Sequence, residues 1–303
     1  MTRPAAKHTA EQAYRATLAA LRKARLFYGH GTHDAAEEAA HLVCHVLRLA
    51  PGSLYEHRQR ELGAVPQRRL QQLLERRIAQ RIPAAYLTRE AWLGEVSFYV
   101  DERVIVPRSF IAEALRDGLR PWLRTPPHRV LDLCTGSGCL AVLAALRYPR
   151  ASVDAADVSC RALAVARRNV ARHGLQARIQ LHRGDLFAAL GIAKARYDLI
   201  VCNPPYVTAR SMARLPAEYL HEPALALAGG ADGLDIVRRI IREARAHLSA
   251  RGILVCEIGA NQKALERAFP RLPFVWLETS AGGNEVFLLE RAQLPQATAG
   301  AGK

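Results

Sequence analysis

Two periodicities divide the chain. Up to about residue 83, apolar side chains return every three or four positions; from about residue 129, short unbroken apolar runs alternate with helical patterns. Tyr14, Leu18, Leu21 and Ala24 predict a helix over 11–27. Two glycines in Tyr28-Gly29-His30-Gly31-Thr32 end it. A second helix is predicted from Asp34, with Glu37 at capping-box spacing, to about Leu49 ahead of Pro51. A third opens at Pro66, carries Leu70, Leu73, Leu74 and Ile78 as its apolar stripe, and stops at Pro83. Residues 92–100 and 104–106 then read as two strands joined by Asp101-Glu102-Arg103.

A further helix is predicted over 110–123, closed by Pro126-Pro127. Beyond it, strands at 129–133, 152–156, 178–181, 197–202, 253–257, 274–277 and 285–289 alternate with helices to about 147, over 159–173, 233–248 and 262–268. Such alternation predicts an α/β fold with a mainly parallel sheet covered on both faces. The expected organisation is a helical domain over 1–85, a β-hairpin linker over 86–108, an α/β domain over 109–292 and a disordered tail over 293–303.

Charge adds a partner to this picture. The 303 residues carry a net charge of +15, which favours anionic partners such as nucleic acid or a nucleic-acid-rich assembly. Arg68, Arg69, Arg76, Arg77 and Arg81 are expected on the outer faces of the third helix, either as a plain solvated face or, in the sharper reading, as a docking surface. Six cysteines without C-x-x-C spacing read as buried free thiols in a reducing cytoplasm. Residues 1–7 lead into no apolar signal core, and no run is long enough to span a membrane, so a soluble cytoplasmic protein is expected. His41, Cys44 and His45 lie on neighbouring helical positions without a fourth donor, and no metal site is expected.

The candidate chemistry lies at strand ends. Asn203-Pro204-Pro205-Tyr206 follows the buried strand 197–202, and its prolines force the chain out of the sheet. The carboxyl end of a strand is where open α/β sheets place ligands. An amide, rigid backbone acceptors and an aromatic wall suit a flat, amine-bearing group. Asp132, Cys134, Thr135, Gly136, Ser137 and Gly138 lie in a strand-to-helix glycine turn that matches G-x-G-x-x-G/A, with Ala141 at the third place. Asp157 ends the next strand, placed to accept from ribose hydroxyls. Asp185 follows the third strand, placed to accept from an adenine amine, with Leu186 or Phe187 against its face. Each acid has a turn or helix cap as its alternative role. Asp132 beside the glycine turn disfavours a pyrophosphate and favours S-adenosylmethionine, which carries an ammonium and a sulfonium.

With these residues the chain resembles a class I, S-adenosylmethionine-dependent methyltransferase with a Rossmann-like, seven-stranded sheet. Asn203-Pro204-Pro205-Tyr206 is similar to the motif of enzymes that methylate planar nitrogens, and the whole chain resembles the protein-glutamine methyltransferases. Pro107-Arg108-Ser109-Phe110-Ile111-Ala112-Glu113 departs from the Pro-Arg-Pro-Glu-Thr-Glu of the release-factor branch. Together with 26–32, it resembles the branch acting on a glutamine of the third large-subunit ribosomal protein. The resemblance implies that Asn203 and the Pro204 carbonyl accept the substrate amide hydrogens, that Pro205 and Tyr206 complete the substrate site, and that Asn203 also borders the cofactor. It further implies a large-subunit ribosomal protein as substrate, with ribosomal RNA met by the basic helical domain. The alternatives are glutamine methylation of peptide-chain release factors, methylation of nucleic-acid exocyclic amines, and non-catalytic RNA binding in assembly.

Overall fold

The computed structural model describes residues 8–191 and 196–296. These form two compact units. One takes the described residues up to Ala91 together with Pro216–His221; the other takes Trp92–Leu215 and the chain from Glu222 onward. The expected boundary at 85/86 therefore moves to 91/92, and the first unit gains six residues from far along the chain.

The first unit is built on α1 (Ala10–Ala24), α2 (Ala35–Leu47) and α3 (Ala64–Gln80). Thr9 and Gln12 close a capping box on α1. Asp34 caps α2 by accepting from the Ala36 and Glu37 N–H groups at 2.7 and 2.8 Å, but Glu37 accepts from the His33 N–H rather than closing the box. Pro66 sits two residues into α3, still within the first turn, where its missing N–H costs no helical bond. Leu42, Val43, Leu47, Leu70 and Leu73 pack into one core.

Arg77 is not on the outer face. It stands four residues after Leu73 and seven after Leu70, on the apolar stripe itself, and only 1% of its surface is exposed. Its Nε donates to Glu38 Oε1 at 2.8 Å, Nη1 to Glu218 Oε1 at 3.3 Å and Nη2 to the Phe27 carbonyl at 2.9 Å. Glu218 belongs to the 216–221 segment, so this cluster anchors that segment in the helical unit. Arg68, Arg69 and Arg76 are exposed as expected.

The second unit opens on a hairpin, Ala91–Leu93 with Val96–Phe98. It turns at Gly94-Glu95, earlier than the expected 101–103, and 104–106 is not a strand. Asp101 instead folds its own loop, accepting from the Arg103 N–H at 3.1 Å and from the Tyr99 hydroxyl at 2.8 Å. The Val106 N–H goes to Glu222 Oε1 at 2.9 Å rather than to a neighbouring strand.

The main sheet has seven strands: β1 (Arg129–Leu133), β2 (Ser152–Asp157), β3 (Ile179–Arg183), β4 (Tyr197–Cys202), β5 (Leu248–Glu257), β6 (Val275–Trp276) and β7 (Val286–Glu290). Their spatial order is β6-β7-β5-β4-β1-β2-β3. β1 to β5 run parallel, and only β7 is antiparallel to both its neighbours. Leu131, Leu199, Ile200, Leu254 and Phe287 are fully buried, as strands covered on both faces require. Strand order reverses between β1 and β4, which opens a crevice at their carboxyl ends.

Two expectations are corrected within this unit. Leu294 is buried and Arg245 Nη1 donates to its carbonyl at 3.0 Å, so the chain is anchored past residue 293; residues 297–303 of the expected tail lie outside the described residues, as do residues 1–7. All six cysteines are free, but Cys160 is exposed and Cys134 and Cys139 are half-buried. Cys160 opens the helix Cys160–Arg172, on the side away from the sheet-facing Leu163 and Ala166. Among the described residues, no helix is long and apolar enough to cross a membrane.

Candidate active site

Strand register sets the site. Leu133 of β1 pairs with Ala156 of β2 on one side and Cys202 of β4 on the other, and Cys202 pairs with Cys256 of β5. The next residue along each strand therefore stands in one row: Glu257, Asn203, Cys134 and Asp157. Asp185 follows β3 at the far end.

Two acids hold the glycine turn. Asp132 is fully buried; Thr135 Oγ1 and, at 3.0 Å, the Ala141 N–H both donate to its Oδ2, pinning the loop before and after its glycines. Its Oδ1 is buried with no hydrogen-bond partner among the described residues. Burial pushes the Asp132 carboxyl up to about 7. Asp157 accepts from the Gly136 N–H at 2.9 Å and the Ser159 N–H at 2.8 Å, and burial raises it too. Gly138 has φ +79, and a methyl there would stand 3.1 Å from Ala166 Cβ, so the turn needs glycine for both conformation and closeness. A methyl at Gly136 would meet only the Cys134 carbonyl, at 3.9 Å, leaving open space above the turn.

Asn169 supports the turn from below and was not singled out in the sequence. Its Nδ2 donates to the Ser137 carbonyl at 2.9 Å and the Tyr99 carbonyl at 3.0 Å, while its Oδ1 accepts from the Tyr99 N–H at 2.7 Å. A polar residue among Val165, Ala166 and Val170 on a buried helix face was the available signal. Asp185 is engaged by Arg239, with Nη1 to Oδ1 at 3.2 Å and Nη2 to Oδ2 at 2.8 Å. Leu186 and Phe187 are buried, and Phe187 stacks on His247.

Pro204 is buried, while Asn203, Pro205 and Tyr206 are half-buried. The Asn203 amide makes no hydrogen bond among the described residues, nor does the Pro204 carbonyl accept one. Tyr206 is tightly held. Its hydroxyl donates to Glu257 Oε1 at 3.2 Å, and its carbonyl accepts from Asn261 Nδ2 at 2.8 Å. Methyls at Gly229 and Gly259 would stand 2.7 Å from its Cα and 2.8 Å from its Cε2. A parallel bridge between Val207 and Ala228 closes the base of the excursion that carries 216–221. His41, Cys44 and His45 form no metal site: among the described residues, no group of three or more His, Cys, Asp or Glu could hold an ion. His41 rests 3.3 Å from Thr88 Oγ1, its ring pushed down to about 4 by burial.

The chain that carries this glycine turn, these acids and the open amide matches known proteins over most of its length. The model of the methyltransferase small domain fits residues 119–226, and that of the PrmC N-terminal domain fits residues 19–88. A ribosomal protein uL3 glutamine methyltransferase of Bordetella pertussis is 55% identical over 276 residues, 90% of this chain and 92% of the relative. One of Burkholderia pseudomallei is 52% identical over 301 residues, 97% of this chain and 98% of the relative. The chain belongs to the ribosomal protein uL3 glutamine methyltransferase family. It is an α/β methyltransferase with a helical amino-terminal unit, as the sequence reading expected. Among solved structures, the catalytic domain of hMettl16 in complex with an RNA hairpin is 17% identical, covers 75% of this chain and 80% of its own, and has a TM-score of 0.50; the likeness concerns the fold. Within the family's frame, the strand-end acids and the glycine turn fit a cofactor that is cationic and phosphate-free. The unpartnered Asp132 Oδ1 and the open space over Gly136 lie in this turn.

Proposed function

We propose that this protein transfers a methyl group from S-adenosylmethionine to the side-chain amide nitrogen of a glutamine in ribosomal protein uL3. The observation that carries the reading is Asn203: a half-buried amide without a hydrogen-bond partner among the described residues, at a strand end between Glu257 and the glycine turn. The names of the relatives support the substrate.

S-adenosylmethionine, when bound, supplies an electrophilic methyl group on a sulfonium. Asp132, Cys134, Thr135, Gly136, Ser137 and Gly138 are the residues that would hold its amino-acid part, Asp157 its ribose, and Asp185 and Leu186 the adenine side. A glutamine amide nitrogen is a weak nucleophile, because its lone pair is delocalised into the carbonyl. The chain answers this by orientation. Asn203 Oδ1 accepts one amide N–H and the Pro204 carbonyl accepts the other, and both acceptors stand ready because no group among the described residues occupies them. The two acceptors favour positive charge on the nitrogen as it gains the methyl, and one of its two N–H protons then leaves to solvent, which restores a neutral, methylated amide. Pro205 and Tyr206 wall the amide plane. A ribosomal substrate places the reaction in the cytoplasm, and the exposed Arg68, Arg69 and Arg76 offer positive charge to ribosomal RNA phosphates.

Asn203→Ala tests the reading. Single-turnover methylation of uL3 at saturating donor is expected to fall by about a hundredfold or more through lost positioning, with donor affinity changed far less. Near wild-type transfer would reduce Asn203 to a turn residue.

A further inference from the structure

Glu257 is a buried carboxylate whose hydrogen bonds come from the parts of the chain that frame the reaction loop. It ends β5 and is 1% exposed. Ser109 Oγ donates to its Oε2 at 2.6 Å and the Phe110 N–H to the same oxygen at 2.9 Å. Tyr206 donates its hydroxyl to the other oxygen, Oε1. Among the described residues, no lysine, arginine or histidine pairs with it. A buried acid without a counter-charge is costly, and an apolar side chain would fill the place more cheaply if packing were its only role.

The carboxyl also lies where orientation matters. Asn203 and Glu257 end adjoining strands, because Cys202 pairs with Cys256. Asn261 holds the Tyr206 carbonyl and Gly259 lies against the ring edge, which leaves the hydroxyl as the point that sets how far the ring swings.

We propose that Glu257 is a positioning residue for methyl transfer, fixing the Tyr206 ring against the substrate amide through the phenol, with Ser109 and the Phe110 N–H holding its second oxygen. The proposal rests on the reading of Asn203–Tyr206 as the amide-binding loop. It makes a pH signature. Burial, with bonds from Ser109, Tyr206 and Phe110 opposing it, pushes Glu257 up to about 7. The charged and titratable groups felt around it are Glu285, which raises Glu257, and Arg108, which acts on Tyr206. Once protonated, the carboxyl accepts less well from three donors at once, and the ring loosens.

The test is a double-mutant cycle on Glu257→Gln and Tyr206→Phe, with methylation of purified uL3 as readout and donor affinity measured by calorimetry. Each single variant is expected to lower kcat by about tenfold or more with donor affinity held within about twofold, and the double variant to be no worse than the poorer single. At saturating donor, wild-type kcat falls below about pH 7, and that acid limb is absent from Glu257→Gln. Ser109→Ala, which removes one donor and no charge, carries the same test should Glu257→Gln fail to fold; it is expected to lower kcat while keeping donor affinity. Additive losses, or Glu257 and Ser109 variants with wild-type kcat and an unchanged acid limb, overturn the proposal. Asn203→Ala, run alongside, separates the two ideas: if it stays active, the loop reading itself has failed.

Discussion

At the residue scale, the acids explain most of the site. Asp132 is buried and Asp157 half-buried; both accept from backbone N–H groups, Asp132 also from Thr135, and neither has a cation beside it among the described residues. Both carboxyls are held above their ordinary range by burial, so each gains from a positive ligand. A cationic ligand favours their ionised forms, so its affinity rises as pH rises toward and past about 7, and protons are released on binding below that. Calorimetry at pH 6, 7 and 8 is expected to show donor binding tightening by about threefold to tenfold across the range. Flat or weakening affinity contradicts a cation held by these acids. The sign for stability is opposite. Between the ordinary value of 3.8 and about 7, Asp132 binds more proton in the folded than in the unfolded state, so its contribution is lost as pH rises. The glycine turn and Asp157 were legible because they stand at fixed offsets from strands. Glu257 was equally placed, one residue past Cys256, yet its meaning depends on Ser109 and Tyr206, 148 and 51 residues away in the chain, and no local pattern records that.

At the element scale, the main sheet was legible and the helical unit's detail was not. Unbroken apolar runs such as 197–202 locate buried parallel strands by themselves. The helix ends defeated the reading for a physical reason: α1, α2 and α3 stop at Arg25, Arg48 and Arg81, each in the left-handed region where glycine is the usual signal. The hairpin was misplaced because Asp101 makes its turn with side-chain bonds that strand propensity does not register. Arg77 was read by its charge rather than by its place on the stripe of α3. Its burial predicts a sharp contrast. Arg77→Ala leaves Glu38 buried without its counter-charge and Glu218 with only Arg81 as a cation, and is expected to cost about 3–5 kcal/mol, whereas exposed Arg76→Ala stays within about 0.5 kcal/mol. Urea unfolding followed by circular dichroism reads both; equal effects would remove the structural role of the Arg77 cluster.

At the scale of the whole molecule, a net charge of +15 suits the proposed substrate, a protein that sits in a ribonucleoprotein. Counterion release makes any docking on RNA weaken with salt, while transfer to free uL3 should depend on salt far less. The chain covers nearly the full length of its relatives, so the helical unit and the methyltransferase unit are shared with them as a pair. The substrate is the central claim. Its most direct measurement is mass spectrometry of purified uL3 and a purified peptide-release factor, each incubated with this protein and S-adenosylmethionine. The account predicts a single added methyl on one glutamine of uL3, absent with Asn203→Ala, and little on the release factor. Preferential methylation of the release factor, or no glutamine methylation of uL3, would contradict it.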